Sequence, residues 1–469
     1  MKNFEISRRN LLNSFGALAA GCASASLSGC GGTAAAAESA VTQGELLLQG
    51  GRILTMDAAG TEIIKGDVHI KNGVIAAVGA NISAPAAQVI DASNTVVMPG
   101  FVETHWHMWN GLWKGMANDA TEYFRLRSLA ANYTSKDHYL AVKYSALQAI
   151  NAGITTCHDW ADGARNYDDF AAHMQALAEV GIRAKASYPG TSSGIAAPRG
   201  ELVRARDWMQ ANSEGRMQLG LLLDGAGGLF EQQVRMAREL GIAPLTNHEG
   251  FLNHPGVLGP EFVYTHGTDI QDADIAMVKS YGIKIGLCPS TDPMIGVGLP
   301  PIYKLITQGI KRENMGLSVD VTAQTSPEPF EMMRVLVNAS RIQQSGMNAI
   351  FDVVKAAPSW VFGYSDALKL ATAGGANVLG WADSIGSLVA GKRADVIMVR
   401  LDDINMQPSA QSSIHIQLVQ CGATHNIDTV IVDGVVRKRG GRLLGVDVKQ
   451  LTAQVASAQE ALRSRAGLA

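Results

Sequence analysis

The sequence predicts an α/β protein, a (β/α)8 TIM barrel with a small β-sandwich domain assembled from both chain ends. Three observations carry this. Short alternating strands separated by Gly and Asn-Gly turns follow Glu45, and strands of the same kind return near the C-terminus. The long middle alternates apolar runs with helical patterns, which reads as βα repeats around a parallel sheet. Eight such runs can be counted, the number that closes a barrel.

The N-terminal strands are Leu46-Leu-Leu, Arg52-Ile-Leu-Thr, Asp67-Val-His-Ile-Lys, Val74-Ile-Ala-Ala-Val and Thr95-Val-Val-Met, with Asn72-Gly73 as a hairpin turn. Their C-terminal counterparts are Asp395-Val-Ile-Met-Val and Thr429-Val-Ile-Val-Asp-Gly434-Val-Val. Between them the barrel strands are Val97 to His105, Ile154 to Asp159, Ile182 to Tyr188, Met217 to Asp224, Ile242 to His248, Phe262 to His266, Ile283 to Leu287 and Met315 to Asp320. The chain therefore divides into a targeting segment (1–30), an Ala-rich flexible tether (31–44), an N-terminal sandwich segment (45–98), a metal-dependent barrel (99–385), a C-terminal sandwich segment (386–445) and a C-terminal helix (446–469).

With 469 residues and 47% hydrophobic content the chain can bury a large core. A formal net charge of -3 argues against nucleic acid as a partner and leaves a small molecule as the expected substrate. Ser7-Arg8-Arg9-Asn10-Leu11-Leu12 before a mild apolar stretch resembles a bacterial Tat signal, which implies export to the periplasm or cell envelope. Leu27-Ser28-Gly29-Cys30 resembles a lipobox, so Cys30 is the expected lipidation site and the only expected membrane contact. Cys157, Cys288 and Cys421 are widely spaced and odd in number, which implies no disulfide framework. A homo-oligomer is the expected assembly.

The chemistry gathers at strand ends. In Val102-Glu-Thr-His-Trp-His107, two histidines at i and i+2 point the same way on a strand, so His105 and His107 can bind one metal together. His248, His266 and Asp320 end later strands, where barrel enzymes place their catalytic groups. With Met98-Pro-Gly-Phe-Val before it and Trp109 after it, the His-x-His segment resembles the amidohydrolase superfamily. Ala371-Thr-Ala-Gly-Gly-Ala-Asn-Val-Leu-Gly380, the Ile385-to-Asp395 segment and Val432-Asp-Gly434 are similar to the same family's branch of cytosine deaminases, triazine chlorohydrolases and S-adenosylhomocysteine deaminases. The resemblance covers roughly Glu45 to Gly440.

The resemblance implies that His105, His107, His248 and Asp320 bind the metal and that His266 assists the substrate. It implies one divalent ion, zinc ahead of iron or manganese, because strand four ends in Asp224 where binuclear relatives carry a lysine. Such an ion lowers the pKa of bound water to about 7. Asp320 can take the proton as that water attacks a trigonal carbon, and an acid must protonate the leaving group. Here the sequence departs from the family. Deaminases of the branch carry His-x-x-Glu on strand five, and the third residue after His248 is Phe251. Asp292, in Cys288-Pro-Ser-Thr-Asp292, ranks ahead of Glu249 as the proton donor, since adjacent strand residues face opposite sides. Only 266 − 248 = 18 positions separate His248 from His266, too few for a full-length helix and a long loop.

Trp106, Trp109, His158 and Trp160 follow the first two strands and are expected to line the pocket, as aromatic walls suit a planar ring. The expected activity is hydrolysis of a C–N bond, by deamination or amide cleavage, in a cyclic small molecule. Removal of a halide, or hydrolysis of a lactone or carboxylate derivative, is the alternative, and a non-catalytic exported binding protein the third.

Overall fold

The computed structural model describes residues 44–190, 196–223, 228–247, 251–347, 359–409 and 414–468. The Tat-type segment with Cys30, and also Asp224, His248 and Glu249, lie outside the described residues.

Chain order gives β1 (Leu46–Leu54), β2 (Glu62–Lys71), β3 (Val74–Gly79), β4 (Gln88–Asp91) and β5 (Thr95–Pro99). The barrel strands follow as β6 (Phe101–Val102), β7 (Ile154–Trp160), β8 (Arg183–Pro189), β9 (Met217–Leu222), β10 (Leu245–Asn247), β11 (Phe262–Thr265), β12 (Lys284–Leu287) and β13 (Met315–Leu317). The chain returns with β14 (Val396–Arg400), β15 (Ile427–Val432), β16 (Val435–Arg439) and β17 (Arg442–Leu443).

β6 to β13 form an eight-stranded sheet in sequence order, every neighbour parallel, and bridges from Glu103 to Leu317 and from Trp106 to Asp320 join its first and last members. This is the expected barrel. The two chain ends meet in a separate nine-stranded sheet, where β5 pairs with β1 on one side and β14 on the other. Leu48, Ile53, Val68 and Ile70 from one end share a core with Val396, Met398 and Ile431 from the other. The sandwich expected from these segments is thus one continuous hydrogen-bonded sheet around its own core.

One expected barrel strand, Val97 to His105, divides at Gly100. Val97 to Pro99 belongs to the separate sheet, and only Phe101–Val102 enters the barrel as a regular strand. A Cβ on Gly100 would lie 2.2 Å from the Thr155 side chain, so the two backbones can approach here only through glycine.

Three helices matter for the site. α1 (Ala120–Leu126) follows β6, with Asp119 accepting from Glu122 N–H at its start. α2 (Ser135–Asn151) begins with a capping box, in which Thr134 and Asp137 satisfy each other's backbone N–H. α3 (Tyr167–Val180) starts on Asn166 and stops at Gly181, whose φ of +72° is the left-handed value that glycine adopts without cost. No helix among the described residues is long and apolar enough to cross a membrane.

A buried ion cluster ties the barrel to the separate sheet. Arg183 at the start of β8 donates to Asp395 through Nε (2.7 Å) and Nη2 (3.1 Å), and to Asp433 through Nη2 (3.0 Å). Asp395 in turn accepts the Asp433 backbone N–H at 2.8 Å. Removing the cation would leave Asp395 without its cationic partner in a dry interior, while Asp433 would keep Arg393. Arg183→Met is therefore expected to cost about 3–5 kcal/mol of stability, read as a lowered urea midpoint at unchanged m-value.

Candidate metal centre and active site

The site is built where the first barrel strand continues past its regular end. Trp106 N–H donates to His158 O (3.0 Å) and Trp160 N–H to Trp106 O (2.8 Å), so strand-like pairing continues as far as Trp106. His105 and His107 consequently fall on one side, with ring centroids 4.8 Å apart. Across the closure, Asp320 N–H donates to His105 O and His107 N–H to Asp320 O, both at 2.8 Å. Asp320 and His266 each sit at φ +62°, a region that side-chain-bearing residues rarely occupy and that costs about 1–3 kcal/mol. Both lie just beyond a strand end.

Asp320 Oδ1 stands between the two imidazoles, 3.1 Å from His105 Nε2 and 3.4 Å from His107 Nε2. Behind His107, Nδ1 meets Asp162 Oδ1 at 2.6 Å, and Trp109 Nε1 donates to the same oxygen at 2.7 Å. Burial alone would raise the Asp162 pKa, but the His107 imidazole, Arg127 and the Trp109 hydrogen bond outweigh it and hold the carboxyl well below its usual range. An ionised Asp162 takes the His107 Nδ1 proton as a hydrogen bond, which leaves a lone pair on Nε2. Burial, reinforced by the neighbouring His107 and His266, keeps His105 neutral. Two imidazoles and a carboxylate oxygen thus converge without a proton to share among them, an arrangement a cation stabilises.

The wider set fits a divalent ion. One donor atom each from His105, His266, Cys288 and Asp320 lies within 4.8 Å of the others, close to the span of ligands about 2.0–2.3 Å from a shared metal. His105, His107 and Asp320 are the residues that would hold the ion. Cys288, at the end of β12, was not among the expected ligands; its signal was its place one residue past a strand end, level with the histidines.

Across from the ligands, His266 Nδ1 meets Asp292 Oδ1 at 2.7 Å. Asp292 lies in the first turn of the short helix Thr291–Met294 and is fully buried, which pushes its pKa up to about 6 against the opposing pull of His266. Asp292 therefore stands behind His266, not on the cavity wall. Beneath the site, Glu103 accepts backbone N–H groups of His105 (2.7 Å) and Val319 (3.1 Å), and burial pushes it up to about 8.

The four aromatic and imidazole side chains expected on the pocket wall pack behind the histidines instead. Trp160 lies edge-on to His105 at 4.0 Å, and Trp109 is held by Asp162 and packed on Trp113 and Tyr133. Trp106 is completely buried. His158 bridges Thr104 O (2.9 Å) and Ser187 Oγ (2.7 Å), and burial pushes its pKa down to about 3. The cavity itself, of about 320 Å³, has His107, His266 and Asp320 at its floor and Tyr123, Phe124 and Arg127 of the α1 segment among its walls. Nothing in the sequence pattern set this seven-residue helix apart as a wall.

The position where related deaminases are expected to carry glutamate is also resolved. Phe251 is fully buried and stacks on Phe262 with centroids 5.3 Å apart. The segment after it forms only single 3-10 turns, Phe251–Asn253 and Pro255–Val257, as its length required.

Residues 236–437 match the family described as "Amidohydrolase family". The chain carries an amidohydrolase family domain. The amidohydrolase match has relatives along most of the chain. A 5'-deoxyadenosine deaminase of Methanobrevibacter smithii is 28% identical over 432 residues, covering 85% of this chain and 94% of that one. A 5-methylthioadenosine/S-adenosylhomocysteine deaminase of Desulforudis audaxviator is 26% identical over 428 residues, covering 83% and 93%. Among solved structures, a zinc-bound adenosine deaminase from Xanthomonas campestris superimposes with a TM-score of 0.76 at 19% identity, covering 89% of this chain and 98% of the other. The zinc complex of an atrazine chlorohydrolase from Arthrobacter aurescens gives 0.75 at 20% identity, covering 88% and 100%. These likenesses show a shared amidohydrolase fold.

Metal analysis of the purified protein is expected to find about one equivalent of a divalent transition metal. His105→Ala and Asp320→Ala should each lose most of it. Asp162→Asn, which leaves every ligand side chain in place, should weaken metal affinity about 10- to 100-fold through the His107 tautomer, measured by competition with a chromophoric chelator.

Proposed function

We propose that this chain is an exported metal-dependent amidohydrolase that hydrolyses a C–N bond in a cyclic small molecule, by deamination first and amide cleavage second. The observation that carries the reading is the convergence of His105, His107 and Asp320, the last two of which line a cavity that His266 also lines. The relatives named as deaminases of adenosine derivatives support the C–N bond as the target.

A divalent ion, zinc ahead of iron or manganese, would be held by His105, His107 and Asp320 and would supply Lewis acidity and water acidified to near neutrality. The side chains do the rest. Asp320, at the cavity floor, accepts the proton of the attacking water. His266, with Nδ1–H directed at Asp292, presents its other nitrogen to the substrate and can pass a proton to the departing nitrogen. Asp292 holds the Nδ1 side of the ring and keeps it aimed. Burial of His105, His107 and Asp320 strengthens each of these electrostatic contacts over its worth in water.

Export rests on the twin arginines, and lipid attachment on Cys30. Arg8→Lys combined with Arg9→Lys should retain the protein in the cytoplasm, and Cys30→Ser should abolish incorporation of labelled palmitate, both read by fractionation and autoradiography. For the reaction, metal-loaded enzyme screened against cyclic amines and amides should release ammonia or show ring opening by addition of one water. Loss of chloride from a chloro-heterocycle with no ammonia from its amino analogue would favour the halide alternative. His266→Ala should lower kcat by about 100- to 10,000-fold. Asp292→Asn should lower kcat with little change in KM.

A further inference from the structure

One face of α1 carries information about the other end of the substrate. Tyr123 and Arg127 are four residues apart, one helical turn, so their side chains leave the same face. Both line the cavity that holds His107, His266 and Asp320. Tyr123 is only 5% exposed, and its hydroxyl has no hydrogen-bond partner among the described residues. Burial, with Asp320 adding to it, holds the phenol well above its ordinary pKa, so the hydroxyl stays neutral and can donate.

Arg127 is loosely held. Its ion pair is with Asp162 Oδ2 at 3.5 Å, while the short contacts of Asp162 run from Oδ1 to His107 and Trp109. Half of the Arg127 side chain is exposed, and it is the one lysine or arginine among the described residues lining the cavity. The other α1 wall residue, Phe124, is apolar, as are Ile295 and Val297. The acidic Asp269 belongs to the segment after β11, three residues past His266.

A guanidinium and a phenolic hydroxyl side by side, against an apolar wall, are complementary to a planar group that only accepts hydrogen bonds. We propose that Tyr123 and Arg127 form a subsite for a carboxylate carried by the substrate ring, so that the enzyme acts on an acidic heterocycle in preference to its neutral counterpart. This rests on the C–N hydrolysis reading and narrows it to a substrate class. Phe124 covers one face of the ring, and the carboxylate on α1 turns the scissile C–N bond toward Asp320 and His266. Arg127 and Tyr123 then determine specificity without touching the reacting atoms.

The test uses the metal-loaded full chain and two matched pairs: pyrimidine-4-carboxylate with its carboxamide as inert binders, and 4-aminopyrimidine-5-carboxylate with its carboxamide as cyclic amines. Calorimetry should show the inert carboxylate binding about tenfold or more tightly than the carboxamide. Arg127→Gln should erase that preference and Arg127→Lys should retain part of it. Tyr123→Phe, which keeps the ring, should weaken the carboxylate alone. Equal affinities, no binding by either ligand, or a preference that survives in Arg127→Gln would overturn the subsite; in the last case the carboxylate sits on the metal or another wall. Turnover separates the two levels. Ammonia from neutral cyclic amines with no gain from a carboxylate overturns the subsite and leaves C–N hydrolysis standing. No hydrolysis of any cyclic amine or amide overturns C–N hydrolysis, and the calorimetric pair still decides whether Arg127 selects a carboxylate.

Discussion

Two backbone hydrogen bonds, from Asp320 N–H to His105 O and from His107 N–H to Asp320 O, join the last strand of the barrel to the first and at the same stroke bring the metal-site residues together. The left-handed backbone of Asp320 is tolerated because these bonds hold it on both sides. If the closure opened, the carboxylate would leave the two imidazoles, and Glu103, which accepts N–H groups from both edges of the seam, would lose its partners. Fold and site share one constraint here. The barrel cannot close without assembling the site, and the site cannot loosen without opening the barrel.

Above that seam, the imidazoles of the site are ordered by carboxylates behind them. Asp162 backs His107 and Asp292 backs His266, at 2.6 and 2.7 Å. The two carboxyls are perturbed in opposite directions. Asp162 has Arg127 and a tryptophan N–H to stabilise its charge and is held ionised, whereas Asp292 is fully buried with Asp320 nearby and is pushed up to about 6. The first environment suits a fixed orienting anion, the second a group that can share a proton. The same motif recurs away from the cavity, where Asp159 holds His173, which meets His138 at 3.0 Å. All three side chains are buried, so that relay braces β7 against α2 and α3.

Much of this was legible in the sequence because period and position carry it. The alternation of apolar runs gave eight strands, and the i, i+2 spacing of His105 and His107 put them on one side. The breaks came where a local pattern has no register of its own. Val97 to His105 reads as one apolar strand, yet Gly100 lets the chain change sheets without any change in hydrophobicity. Trp106, Trp109 and Trp160 satisfy an aromatic-wall expectation by composition, but Trp106 after β6, Trp109 in the 3-10 turn that follows and Trp160 at the end of β7 all pack into the core behind the histidines. Cys288 shows no partner in the sequence because its neighbours in space, His105 and Asp320, are far away along the chain. Tyr123 and Arg127 lie on a helix too short for periodicity to show which face is buried.

The departure at Phe251 decides how the remaining chemistry is distributed. A glutamate there would have put an acid on the strand-five side of the metal; instead an aromatic ring stacks on Phe262 and fills the space with carbon. His266 with Asp292, on the side of strands β11 and β12, and Asp320 at the seam then stand as groups beside the ligands that can carry a proton. Protonation of a leaving group must be geometrically opposite to nucleophilic attack or beside it, and with both partners drawn from neighbouring strands it is beside it. A substrate bound this way presents its scissile bond toward β11 to β13 and leaves its far edge against α1, the one wall that supplies a guanidinium.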